Sequence, residues 1–88
     1  MYVLIAITLL NINDTPLIES LTPFTSLEKC ENRLSDIYDE KRRLMANYPV
    51  TVEIKNKSGK KYILFRSKAD YTKPEKNTFY KCEKVNNY

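Results

Sequence analysis

The sequence predicts an α+β fold in a single domain spanning residues 1–88: a mainly antiparallel sheet of three to five strands with one long helix packed on one face, in the order β(β)αβββ. Three observations carry this. Apolar residues recur at spacings of three and four between Leu27 and Tyr48, the period of a helix with one buried face. After Pro49 the period drops to two, and two such runs flank Gly59, the only glycine of the chain. The chain also starts on an unbroken apolar run, as a strand covered on both faces does.

Residues 2–10 are Val, Leu, Ile and Ala with Tyr2 and Thr8, and they read as that doubly covered strand. Asn11 to Pro16 is turn chemistry, since Asn and Asp hydrogen-bond locally and proline fixes φ. Residues 17–21 form a short second strand returning beside the first, and Pro23 confines it to an edge or a loop.

Thr25-Ser-Leu-Glu28 matches a capping box in which the Thr25 hydroxyl takes the Glu28 amide and the Glu28 carboxylate reaches back. Behind it, Leu27, Cys30, Leu34, Ile37, Lys41, Leu44 and Tyr48 line one face of a helix from about Ser26 to Asn47, with Lys41 the one polar interruption. Glu28 and Glu31 come early and Lys41, Arg42 and Arg43 late, as the helix dipole favours. Asp39 and Arg43 stand in the favourable i, i+4 order. Pro49 ends the helix, because the residue before a proline avoids the α region.

Val50, Val52 and Ile54 alternate with Thr51, Glu53 and Lys55 in a half-buried strand. Asn56-Lys-Ser-Gly59 forms a hairpin loop with Gly59 at the position that wants φ > 0. The return strand is 61–66, residues 68–77 are a polar loop, and 78–85 form the last strand before a frayed end.

At 88 residues the chain makes one domain, burying only about 60–65% of its unfolded surface. It contains no histidine, which removes the commonest general base and metal ligand. A lone glycine excludes Gly-rich phosphate loops, and two cysteines cannot build a zinc site by themselves. The sequence therefore offers no catalytic residue, no metal ligand set and no cofactor-binding motif. Asp36, Asp39 and Glu40 read as a solvated helix exterior.

The apolar first segment lacks a basic n-region and a small-residue cleavage site, so it reads as a strand and not as a signal peptide. It is also far shorter than the roughly 20 residues needed to span a bilayer. The expectation is a soluble, cytoplasmic protein without a membrane role. In a secretory setting, Asn13-Asp-Thr15 and Asn56-Lys-Ser58 would be glycosylation sequons.

Charge supplies the functional lead. Residues 49–88 hold ten Lys/Arg against four acids, a net of +6, whereas residues 1–48 carry −2. Such a field attracts anionic partners without identifying one. Lys55, Lys57, Lys60 and Lys61 surround one tight turn and, with Arg66, form a candidate docking surface for an acidic protein or a nucleic acid. The competing reading is a solubilising tip whose strand-edge lysines deter aggregation. Tyr62, Arg66, Tyr71, Phe79 and Tyr80 are a second candidate, as a surface on which unpaired bases stack, but the Gly-rich aromatic signature of RNA-binding sheets is missing.

Cys30 and Cys82 are both expected at the helix–sheet interface, either as a disulfide or as a pair of buried thiols. A cytoplasmic location favours the reduced pair.

Tyr2-Val-Leu-Ile-Ala6, Thr22-Pro-Phe-Thr-Ser-Leu-Glu-Lys-Cys30-Glu and Phe79-Tyr-Lys-Cys82 together resemble short bacteriophage-encoded α+β proteins without an assigned activity. The resemblance implies a virus-encoded accessory protein acting in a host cytoplasm, with reduced cysteines, and carries no functional residue with it. The resulting expectation is a non-enzymatic binding protein. Its alternatives are a nucleic-acid-binding module and a homo-oligomeric sponge for an anionic small ligand.

Overall fold

An apolar run, a stretch of period 3.6 and then period two set the architecture, seen in a computed structural model that describes residues 1–9, 17–68 and 75–85. The first strand, expected to be covered on both faces, buries only Leu4, Ala6 and Thr8, because the single helix covers one side. Strands β1 (Tyr2–Leu9) and β2 (Leu17–Phe24) precede helix α1 (Leu27–Leu44). Strands β3 (Val50–Lys57), β4 (Lys60–Ser67) and β5 (Lys76–Lys84) follow it. All five strands join one sheet in the order β2-β1-β5-β4-β3, and every neighbouring pair is antiparallel. The expected element order and single helix are present, with the strand count at the top of the expected range. The turn expected over 11–16 and most of the loop expected over 68–77 lie outside the described residues. Lys76 and Asn77, placed in that loop by the sequence, belong to β5.

The last strand to be made is the centre of the sheet. β5 lies between β1 and β4, joining the two hairpin-like halves of the chain. Its register sets Leu4 opposite Cys82, Ala6 opposite Tyr80 and Thr8 opposite Thr78. Side chains alternate across a pleated strand, so Leu4, Ala6 and Thr8 share a face with Val52 and Ile63. That face meets α1, whose Cys30, Leu34 and Ile37 are buried against Leu4, Val52 and Ile63. Tyr2, Phe24, Tyr38, Phe65, Tyr80 and Cys82 close around this cluster.

The sequence placed the start of the helix one residue early. Ser26, in extended conformation, is the N-cap, and the Lys29 amide donates to its Oγ at 3.2 Å. Strand β2 continues through Pro23 to Phe24, paired with Tyr2, well beyond the five residues expected, and this holds Thr25 outside the helix. The Thr25 hydroxyl instead accepts from the Lys29 ammonium at 3.3 Å. At the other end the chain leaves the helix at Leu44 through a tight turn in which the Tyr48 amide bonds to the Leu44 carbonyl.

The buried stripe is also shorter than the periodicity implied. Leu27 and Tyr48 are exposed, and Lys41 is explained by its partner, its ammonium lying 5.0 Å from the centroid of the Phe65 ring. Asp39 and Arg43 form no ion pair among the described residues. Arg33 and Glu40 meet instead at 3.2 Å.

Candidate functional site

Strands β3 and β4 extend to Lys57 and Lys60, so the loop between them is two residues, Ser58 and Gly59, and not the four that the sequence suggested. Both turn residues have positive φ, 54° and 77°, as a tight turn matched to the right-handed twist of its strands requires. This backbone sets Lys57 directly across from Lys60, Asn56 across from Lys61 and Lys55 across from Tyr62.

Register then decides which charges share a face. Lys55, Lys57 and Lys60 stand with Tyr62 on the sheet face opposite α1, and Tyr62 is in turn paired with Lys81 of β5. Lys61, one residue along, belongs to the helix-side face. Arg66 is on the open face but six residues down β4 from Lys60, about 20 Å at strand rise. It is held there by Asn77, whose Oδ1 accepts from Arg66 Nε at 3.1 Å, and by Glu75 at 3.6 Å. The five cations proposed from sequence therefore do not form one cluster. Lys55, Lys57 and Lys60 come together, Lys81 joins them, Lys61 turns to the other side, and Arg66 lies apart.

Carboxylates occupy part of this surface. Lys55 pairs with Glu53 at 3.2 Å, while Glu83 receives Lys81 at 3.2 Å and Lys60 at 3.5 Å. The hydrogen bond from Lys81, with the charges of Lys81 and Lys60, holds the Glu83 carboxyl below its ordinary range against a smaller opposing effect of burial. Among the described residues Lys57 and Lys61 form no ion pair, so the turn keeps uncompensated charge on both faces. A shallow cleft of about 330 Å³ runs between the turn and β5, lined by Lys57, Lys60, Lys61, Tyr62, Lys81 and Glu83.

The aromatic candidate divides in the same way. Tyr62 and Phe79 share the open face with ring centroids 6.2 Å apart, Tyr80 packs into the core from the other face, and Tyr71 lies outside the described residues. Cys82 lines the same cleft, and its sulfur is bonded to that of Cys30. The register of β5 over the first turn of α1 brings the two Cα atoms to 6.2 Å, the ordinary span of a disulfide, in place of the reduced pair favoured from sequence. The bridge thus ties the start of the helix to the strand beside the basic turn.

Sequence reasoning missed Lys81 because its membership depends on the β4–β5 register, a long-range feature with no local signal. Asp36, Asp39 and Glu40 are exposed, and no group of three or more His, Cys, Asp or Glu able to hold a metal occurs among the described residues. No helix there is long and apolar enough to cross a membrane. Comparison of the chain with protein-family models, with curated proteins and with solved structures finds no match.

Proposed function

We propose that this protein is a non-enzymatic binding module that docks on an acidic macromolecular surface through the tip and open face of the β3–β4 hairpin. The observation that carries the reading is the two-residue turn. It holds the backbones of Lys57 and Lys60 opposite one another with Lys55 and Lys81 on the same face, so their positions along the sheet are set before a partner arrives. Pre-ordering removes part of the entropic cost of binding, and the cations accelerate encounter with an acidic surface. Lys61 contributes from the rim, and Arg66, tied to Asn77 and Glu75, sits outside the contact.

An acidic protein surface suits this array better than a nucleic acid. Base stacking needs several exposed rings, whereas Tyr62 leans on Phe79 and Tyr80 is committed to the core. A virus-encoded accessory role remains compatible with a small adaptor of this kind. The Cys30–Cys82 bond, however, argues for an oxidising setting over the host cytoplasm, since disulfides persist where thiols are not continuously reduced.

The test is fluorescence anisotropy with a labelled polyglutamate peptide and a labelled single-stranded oligonucleotide, each at low and high salt. Wild-type protein should bind the peptide, and Lys57→Glu, at a cation without an ion pair among the described residues, should weaken binding sharply while leaving the melting temperature nearly unchanged. Preferential binding of the oligonucleotide with a steep salt dependence would replace this reading with the nucleic-acid one. Binding of neither probe removes both.

A further inference from the structure

The two edges of the sheet differ in chemistry. Edge strand β3 carries Lys55 and Lys57, the charges by which proteins discourage strand-to-strand association. Edge strand β2 is eight residues long and carries no Lys or Arg. Indeed residues 1–24 contain none, although the chain as a whole is at +4. Three side chains of β2, Leu17, Ile18 and Leu21, are exposed to 55%, 63% and 60%.

Among the described residues no strand pairs with the outer backbone of this edge. The Val85 amide donates to the Met1 carbonyl at 2.9 Å, which aims the odd-numbered peptide groups of the first strand at β5 and the even-numbered ones at β2. Thr22 and Phe24, opposite Leu4 and Tyr2, therefore bond inward, and the amide and carbonyl of Leu21 point away from the sheet. Pro23, next in the outward row, brings an acceptor and no donor. Leu21 and Ile18 continue the apolar surface of Ile5 and Ile7, opposite them on β1, across the open face of the sheet.

We propose that β2 is the interface for a second copy of this chain, paired antiparallel to its own equivalent across a two-fold axis near Leu21. A second copy fits because β2 lies in a stretch, residues 1–24, without a Lys or Arg, while the excess positive charge of the chain lies in residues 49–88. Two chains at +4 repel when their β3–β4 ends approach, whereas the β2 edges meet without a single cation between them. Antiparallel self-pairing is inherently two-fold, so Leu21 exchanges its amide and carbonyl with the partner's Leu21 and the assembly closes as a dimer. The lysines of β3 stop growth at the outer edges. The result is a continuous ten-stranded sheet from two five-stranded ones, with a basic hairpin at each end. This interface does not depend on what the hairpins bind.

The test is sedimentation of the full chain over a wide concentration range, with two variants and one control. Wild-type protein should sediment at twice 10.4 kDa. Leu21→Pro removes the outward amide at an edge position that bonds nothing inward, and, with circular dichroism confirming the fold, should weaken the dimer by about tenfold or more. Ile18→Lys/Leu21→Lys should leave a folded monomer by circular dichroism, because both side chains are exposed, and Arg42→Ala, on the exposed helix surface, should leave the dimer intact. A wild-type monomer at every concentration overturns the proposal. So does a dimer indifferent to both β2 variants, or a mass that climbs past two chains.

Discussion

The Thr8 and Thr78 hydroxyl oxygens lie 3.1 Å apart across β1 and β5, both buried, one donating to the other. This buried polar contact has an asymmetric cost structure. Removing one hydroxyl leaves the other desolvated without a partner, at about 1–3 kcal/mol, whereas removing both leaves no polar group to satisfy. Thr8→Val and Thr78→Val should each lower stability by that amount, and the double variant should recover most of the loss. Urea unfolding of the four proteins of the cycle checks this. Simple addition of the two single losses would show that the hydroxyls are not coupled.

The Cys30–Cys82 bond closes a loop with a sequence separation of 52, so in the chain-entropy account it stabilises by about 4 kcal/mol. Cys30 is fully buried on the sheet-facing side of α1, while Cys82 borders the basic cleft. The double variant Cys30→Ala/Cys82→Ala should therefore unfold at much lower urea than wild type. Adding reductant should move the wild-type midpoint toward that of the variant and leave the variant in place. An unchanged wild-type midpoint would mean that the two sulfurs pack as thiols.

Local signals were enough to read the helix, the hairpin and the turn glycine, because each depends on residues within a few positions. The Ser26 cap shows where locality fails. Thr25 and Ser26 are both competent caps, and the pairing of Phe24 with Tyr2 decides between them. Lys41 looked like a flaw in an apolar stripe because its partner, Phe65, arrives from a strand far along the chain. The candidate site was legible as a turn rich in lysine. Its division into faces was not, since a strand's alternation tells which residues share a side and the long-range register tells what stands beside them. That register added Lys81, turned Lys61 away and set Glu83 between Lys60 and Lys81.

Glu83 is therefore the residue that couples the stability of the sheet to the charge of its basic face. Hydrogen bonding from Lys81, and the charges of Lys81 and Lys60, hold its carboxyl below the ordinary value of 4.5. A carboxylate whose folded-state pKa is depressed contributes stability that is fully present above the unfolded-state value, and that contribution fades as pH falls through the folded-state value. Glu83→Gln removes this contribution. At neutral pH the variant should unfold at lower urea than wild type, and the gap should close as pH drops below about 4.5. The same substitution releases Lys60 and Lys81 from their shared carboxylate, so at neutral pH the variant should bind polyglutamate more tightly than wild type despite being less stable. Opposite movement of stability and affinity distinguishes this coupling from a general loosening of the fold, which would lower both.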